Sequence, residues 1–208
     1  MQVALMIPCY VDLFYPEVGV ATLELLEKLK VDVVYPFDQT CCGQTMANSG
    51  CYEEAQATEE LFIKNFCAFD HIVTPSGSCT HHLRNKFTAT PDSPERRKIS
   101  HSVYDLVEFL HDVLQVREFP GTEFKHKVAL HSSSSFGLEK AGSCTRSLIE
   151  AEAADRGTAG DDIVGAGFTH EFDFVVSHLG RHVLPHASAR LLKSFGHQPE
   201  GFSISRKY

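Results

Sequence analysis

Short apolar runs alternate with amphipathic segments over the first hundred or so residues. Gln2 to Ile7 (QVALMI) is an apolar run stopped by Pro8, which predicts a buried strand. A loop from Cys9 to Pro16 follows. Val18, Ala21, Leu25 and Leu29 then recur at helical spacing and predict a helix from about Glu17 to Lys30. Val31 to Tyr35 (VDVVY) is β-branched and ends at Pro36, so it reads as a second strand. The loop from Phe37 to Gly50 closes on the turn signal Asn48-Ser49-Gly50. A second helix is predicted from about Tyr52 to Phe66, with Ala55, Phe62 and Phe66 inward. His71 to Thr74 is the third strand, and Pro75 to Cys79 the loop leaving it. Strand, helix, strand, helix, strand with short connections is a βαβαβ unit, and right-handed crossovers make its strands parallel.

Thr80 to Pro94 is polar and contains His81-His82. Helix resumes near Glu95, and Ser102 to Leu114 has the spacing of an amphipathic helix. Glu118 to His126, with Pro120-Gly121, reads as a linker, and Lys127 to His131 as the first strand of a second unit. Beyond it the periodicity fades through Ser132 to Ser135 and through Ala151 to Gly167. Phe172 to Val176 is a candidate strand, Ala187 to Phe195 a candidate short helix, and the tail from Gly196 is polar. The expected fold is α/β. A parallel three- to four-stranded unit occupies residues 1–122, and a degenerate, truncated second α/β unit occupies 123–208.

A formal charge of −8 and a pI near 5.8 argue against a nucleic-acid surface. No apolar run approaches the ~20 residues of a membrane span. Met1 to Ile7 is too short for a signal-peptide core, so the expected location is the cytoplasm. There, seven cysteines are ligands, catalytic groups or buried hydrophobes rather than a disulfide framework.

Cys9, the adjacent pair Cys41-Cys42, and Cys79 each follow a predicted strand. In a parallel sheet, loops leaving the strand C-termini line one crevice, so these four converge. Thiolates are soft ligands, and four of them suit zinc or an iron–sulfur cluster. Gly43 lets the chain turn so that two consecutive sulfurs serve one site. The competing readings are four buried core cysteines, or a strained vicinal Cys41–Cys42 disulfide. Cys51 and Cys67 bracket the second helix, whose ~15 residues span about 22 Å. Both ends cannot reach one site, and both cysteines read as structural. Cys144 is assigned no role. His81 and His82 are outer-shell candidates, but a solvated helix start is the preferred reading. His131 either faces the crevice or simply ends a strand.

The stretches Pro8-Cys9-Tyr10-Val11-Asp12, Cys41-Cys42-Gly43-Gln44, Asn48-Ser49-Gly50 and Pro75-Ser76-Gly77-Ser78-Cys79-Thr80 resemble the cysteine-rich CCG domain family. They are most similar to its lactate-utilisation branch. The resemblance runs from Met1 to about His131. It implies an iron–sulfur protein that relays electrons during oxidation of L-lactate to pyruvate, alongside partner iron–sulfur subunits. Such a chain is an oxidoreductase subunit rather than a complete catalyst. The implied ligands are Cys9, Cys41, Cys42 and Cys79 of a 4Fe–4S-type cluster, with zinc as the alternative, and Gly43, Ser76 and Gly77 are the implied cofactor contacts. In the wider family the third element is C-x-x-C, and here its first position is Ser76, which reduces five thiolates to four. Family chains carry two such domains, whereas this chain has no second Cys-Cys-Gly. A one-base shift of suitable codons for Arg181 to Ser188 spells Asp-Met-Ser-Cys-Leu-Met-His, which resembles the family's last cysteine motif. The alternative functional readings are therefore a zinc-binding interaction module and the non-functional product of a frameshifted gene.

Overall fold

In the first strand, β1 (Gln2–Leu5), alternate side chains leave for opposite faces, and both faces are covered. Val3 and Leu5 enter one apolar cluster, and Ala4 enters another with Met6. All of these side chains are essentially inaccessible, as expected of an interior strand in a parallel sheet. The computed structural model describes residues 1–119. The domain boundary near 122 and every later expectation, including those for His131 and Cys144, lie outside the described residues.

β1 pairs in parallel with β2 (Asp32–Val34) in the register Val3 to Val33. On its other side it pairs with β3 (Ile72–Thr74), Leu5 facing Val73. β4 (Val103–Asp105) pairs in parallel with β3, so the order is β2-β1-β3-β4. The order reverses between β1 and β3, the place where an α/β sheet opens a crevice outside its carboxyl ends.

Helices cover both faces. α1 (Cys9–Phe14) and α2 (Pro16–Lys28) leave β1, and α2 buries Val18, Leu25 and Leu26 against Val3, Leu5 and Val73. Pro16 starts α2 where its missing N–H costs nothing. Past β2, the short α3 (Gln44–Asn48) leads into α4 (Tyr52–Phe66). Phe62 and Phe66 of α4 stack at 4.4 Å and bury beneath Ala4, Met6 and Ile72. α5 (Gly77–His81) continues as a π-helical turn over His82–Lys86, and α6 (Pro94–Ser102) follows with its Ser93 hydroxyl accepting from the Arg96 N–H.

Four predicted segments change: α3 lies inside the loop expected from Phe37 to Gly50, α5 begins inside the loop expected from Pro75 to Cys79, and two others change more fully. Cys9 to Phe14 is helix rather than loop, because Pro8 is extended and its carbonyl accepts the Asp12 N–H. The segment predicted as one helix from Ser102 to Leu114 begins as β4. Helix starts only at α7 (Leu106–Glu108), which runs on as a π-helical turn over Phe109–Val113. The switch is local. Asp105 is extended, and its carboxylate accepts the Val107 N–H at 2.9 Å, so Asp105 caps the helix from the last strand position. Val103 faces one cluster and Leu106 the other, so the residues that mimic a helical stripe divide between the two faces. Arg84 clamps the turn after α5 onto this strand. Its guanidinium donates to the Val103 carbonyl at 2.7 Å and pairs with Glu108 at 2.7 Å.

Asp105 lies buried opposite Thr74. Burial raises its carboxyl to about 7, Glu108 acting the same way and the Val107 N–H and Arg84 opposing. The folded chain therefore keeps a proton that the unfolded chain releases near pH 4. Stability from this group is full below pH 4 and falls as pH rises to about 7. Asp105→Asn keeps an acceptor for Val107 but cannot ionise. Its denaturation midpoint should match the parent's at pH 4 and exceed it at pH 8. Parallel profiles for the two proteins would contradict this placement of Asp105.

Candidate metal centre

Cys9 opens α1 directly after β1, and Cys79 sits in the middle of α5 directly after β3. These two strands flank the reversal in strand order. Cys41 and Cys42 come from the loop after β2, and one side chain ties that loop to β1. Gln39 accepts the Ile7 N–H through its carbonyl at 2.8 Å and donates its amide to the Leu5 carbonyl at 3.1 Å. It thus continues the sheet hydrogen bonding where β2 has ended, and carries the following cysteines toward Cys9.

The result is two sulfur–sulfur contacts. Cys9 Sγ lies 3.5 Å from Cys41 Sγ, and Cys42 Sγ lies 3.4 Å from Cys79 Sγ. Consecutive residues thus serve different pairs. The turn that allows this is Gly43, which is left-handed at φ 86° and whose N–H donates to Cys41 Sγ at 3.4 Å. Exposure grades across the group: Cys9 is exposed, Cys41 half-buried, Cys42 and Cys79 buried. Cys79 also bears electrostatically on Cys9 and Cys41. Among the described residues no group of three or more His, Cys, Asp or Glu side chains has a ready metal-holding arrangement.

Within each pair one sulfur gives a hydrogen bond and the other takes it. Cys41 is held well below the usual thiol range by hydrogen bonds from Cys42 and Cys9 and from the Gly43 N–H. Cys79 is lowered by its bond from Cys42, helped by Ser76 and Ser78. Cys9 is raised by donating to Cys41, by burial and by the neighbouring sulfur charges. Cys42 is raised by its bonds to Cys41 and Cys79 and by burial. Two sulfurs biased toward thiolate, each with a thiol beside it, are a donor set suited to a soft cation, which would displace the shared protons.

Ser76 and Gly77 open α5. The Ser76 hydroxyl, buried, accepts the Cys79 N–H at 3.3 Å and lies 3.2 Å from the Ser78 hydroxyl. It acts as a helix cap on the Cys79 backbone. Cys51 and Cys67 flank α4 at its two ends, as expected for residues outside the group.

His82 is not the solvated residue expected from the sequence. It is fully buried, and neither ring nitrogen has a hydrogen-bond partner. Its Nε2 lies 4.0 Å from Glu59, too far for a hydrogen bond. Leaving a buried polar group unpaired costs ~1–3 kcal/mol. Burial depresses its protonation to about 4, opposed by the Cys41 charge and by the Cys42 backbone. Glu59 is also fully buried, on the apolar face of α4 with Ala55, Phe62 and Phe66, and accepts the Thr90 N–H at 2.8 Å and the Ala89 N–H at 3.3 Å. Gln39, Glu59 and His82 are the site residues that sequence reasoning missed. Glu59 alone left a signal, a carboxylate on a helical apolar stripe.

A Cβ on Gly43 would meet Glu59 Cγ at 3.6 Å and His82 Nε2 at 3.9 Å, which is ordinary contact. The constraint there is its positive φ. Gly50 has φ 79° with open space around it and so isolates the backbone effect. Gly43→Ala and Gly50→Ala should each cost ~1–2 kcal/mol in denaturant unfolding. Only Gly43→Ala should speed alkylation of Cys42, which is otherwise buried. Equal alkylation rates in the two variants would contradict the role given to this turn.

Residues 3–84 match the family model described as CCG, cysteine-rich domain. The chain is 40% identical over 137 residues to lactate utilization protein A of Geobacillus kaustophilus, a match covering 64% of this chain and 57% of that protein. It is 37% identical over 137 residues to the protein of the same name from Bacillus subtilis, with the same coverage. With that of Bacillus cytotoxicus it shares 37% over 149 residues, 68% of this chain and 62% of the relative. The chain thus spans less than two thirds of the length of these relatives. No solved structure matches. Residues 3–84 of this chain are thus similar to the cysteine-rich CCG domain, and the chain is similar to the lactate utilization A proteins.

Proposed function

We propose that this chain is an iron–sulfur electron-relay subunit of a system oxidising L-lactate to pyruvate. Cys9, Cys41, Cys42 and Cys79 hold one centre, and partner iron–sulfur subunits exchange electrons with it. The observation that carries this reading is the pair of sulfur–sulfur contacts at the carboxyl edge of the sheet. The matched relatives, which are named for lactate utilization, supply the substrate class. The donor set fits the group: four soft sulfurs, two of them already biased toward thiolate, with a backbone N–H on one. When bound, an iron–sulfur cluster supplies one-electron chemistry, its potential tuned by hydrogen bonds to sulfur and by solvent exposure. Here the Gly43 N–H and the hydroxyls of Ser76 and Ser78 bear on the sulfurs, and Cys9 faces solvent, where an electron partner would dock. Among the described residues no helix is long and apolar enough to cross a membrane.

A zinc-held module is the second reading, and one observation favours it. Ser76 stands where the wider family has a fifth cysteine, and its hydroxyl is committed to the Cys79 backbone. Four sulfurs form a closed tetrahedral zinc site with no vacancy for chemistry.

Anaerobically purified protein should be brown, with sulfur-to-iron absorption in the visible and iron and sulfide in the metal analysis. Replacing Cys9, Cys41, Cys42 or Cys79 singly by Ser should remove most of the metal, because a hydroxyl is a poor soft-metal ligand. Cys51→Ser and Cys67→Ser should leave it unchanged. A colourless protein holding one zinc through the same four cysteines would decide for the second reading. Retention of metal by all four variants would sink both.

A further inference from the structure

We propose that His82 is a positioning residue for the cysteine centre: its unpaired ring N–H takes up the Cys42 carbonyl when a metal binds and thereby holds the Gly43 N–H on the Cys41 sulfur. The proposal rests on the reading that the four cysteines bind one metal centre. Three observations converge on it. His82 is a buried imidazole with no hydrogen-bond partner at either nitrogen. Its Nε2 lies 3.9 Å from the point where a Gly43 Cβ would stand, directly under the cysteine turn. Glu59, the nearest carboxylate, is engaged by the Ala89 and Thr90 N–H groups.

The mechanical link is the peptide between Cys42 and Gly43. In a trans peptide the C=O and N–H point in opposite directions. The N–H of this peptide meets Cys41 Sγ at 3.4 Å. Its C=O therefore points away from that sulfur, and the His82 ring lies close to the Gly43 end of the same peptide. Anchoring the carbonyl fixes the plane, and the plane fixes both the N–H on Cys41 and the parting of Cys41 and Cys42 into different sulfur pairs. Gly43 permits the turn, and His82 selects its orientation. An outer group of this kind acts on a metal site through the geometry and electron density of the ligand it orients.

The test uses the full 208-residue chain, reduced and anaerobic, titrated with cobalt(II). Cobalt bound by thiolates reports its affinity and its geometry together through charge-transfer and d–d bands. His82→Phe removes the donor and fills the space, whereas His82→Gln keeps an N–H at similar reach. His82→Phe should weaken cobalt binding about 10- to 100-fold and shift the d–d bands, with the far-UV circular dichroism of the metal-free protein unchanged. His82→Gln should return affinity and bands most of the way to those of the unaltered chain. Identical titrations for the unaltered chain and His82→Phe would overturn the proposal, as would His82→Gln behaving like a folded His82→Phe. Should His82→Phe fail to fold, nitrogen-15 spectra of the zinc-loaded unaltered chain decide instead. A single neutral tautomer with a slowly exchanging ring N–H is expected, and a rapidly exchanging ring would overturn the proposal. No cobalt binding by the unaltered chain would overturn the metal reading itself, and this proposal with it.

Discussion

Parallel pairing of β1 with β2 on one side and β3 on the other is the constraint on which the rest of the structure depends. It places three strand exits along one edge, with the reversal in strand order between β1 and β3. Cys9 and Cys79 follow their strands closely, and the loop bearing Cys41 and Cys42 is drawn in beside them past the end of β2. The pairing is itself held by burial. Val3 and Leu5 close one layer, Ala4 and Met6 the other, and both layers need a helix over them. A one-residue slip of β1 would exchange its faces and take Cys9 out of line with Cys41.

Around this edge, small polar devices do what the sheet alone cannot. β2 ends at Val34, several residues before Cys41, and Gln39 spans the interval with hydrogen bonds to the backbone of residues 5 and 7. Ser76 fixes the start of the helix that bears Cys79. Gly43 provides the turn, seated on Glu59 and His82.

The sheet, its parallel sense and the two long helices were legible in the sequence, because their apolar positions repeat cleanly and end at Pro8, Pro36 and the Asn48-Ser49-Gly50 turn. β4 was not legible. Its residues Val103 and Leu106 sit at helical spacing, and only the cap formed by the Asp105 side chain separates strand from helix. The two sulfur–sulfur contacts, Cys9 with Cys41 and Cys42 with Cys79, agree with the topology, since the loops that bear these cysteines leave one edge of the sheet. How they pair was hidden, because it depends on a left-handed backbone at Gly43 that composition does not encode. Nor was the burial of His82 visible. A histidine between polar residues reads as solvated until α4 brings Glu59 beneath the same turn.

The most direct test of the account is X-ray absorption at the metal edge of protein purified without oxygen. Four cysteines around one centre should give a first shell of sulfur alone, at about 2.3 Å for zinc and similarly for iron, with no nitrogen or oxygen scatterer. That shell should be lost when Cys42 is replaced by Ser. A first shell containing imidazole or oxygen in the unaltered protein, or one indifferent to Cys42, would contradict the claim that these four residues form a single site.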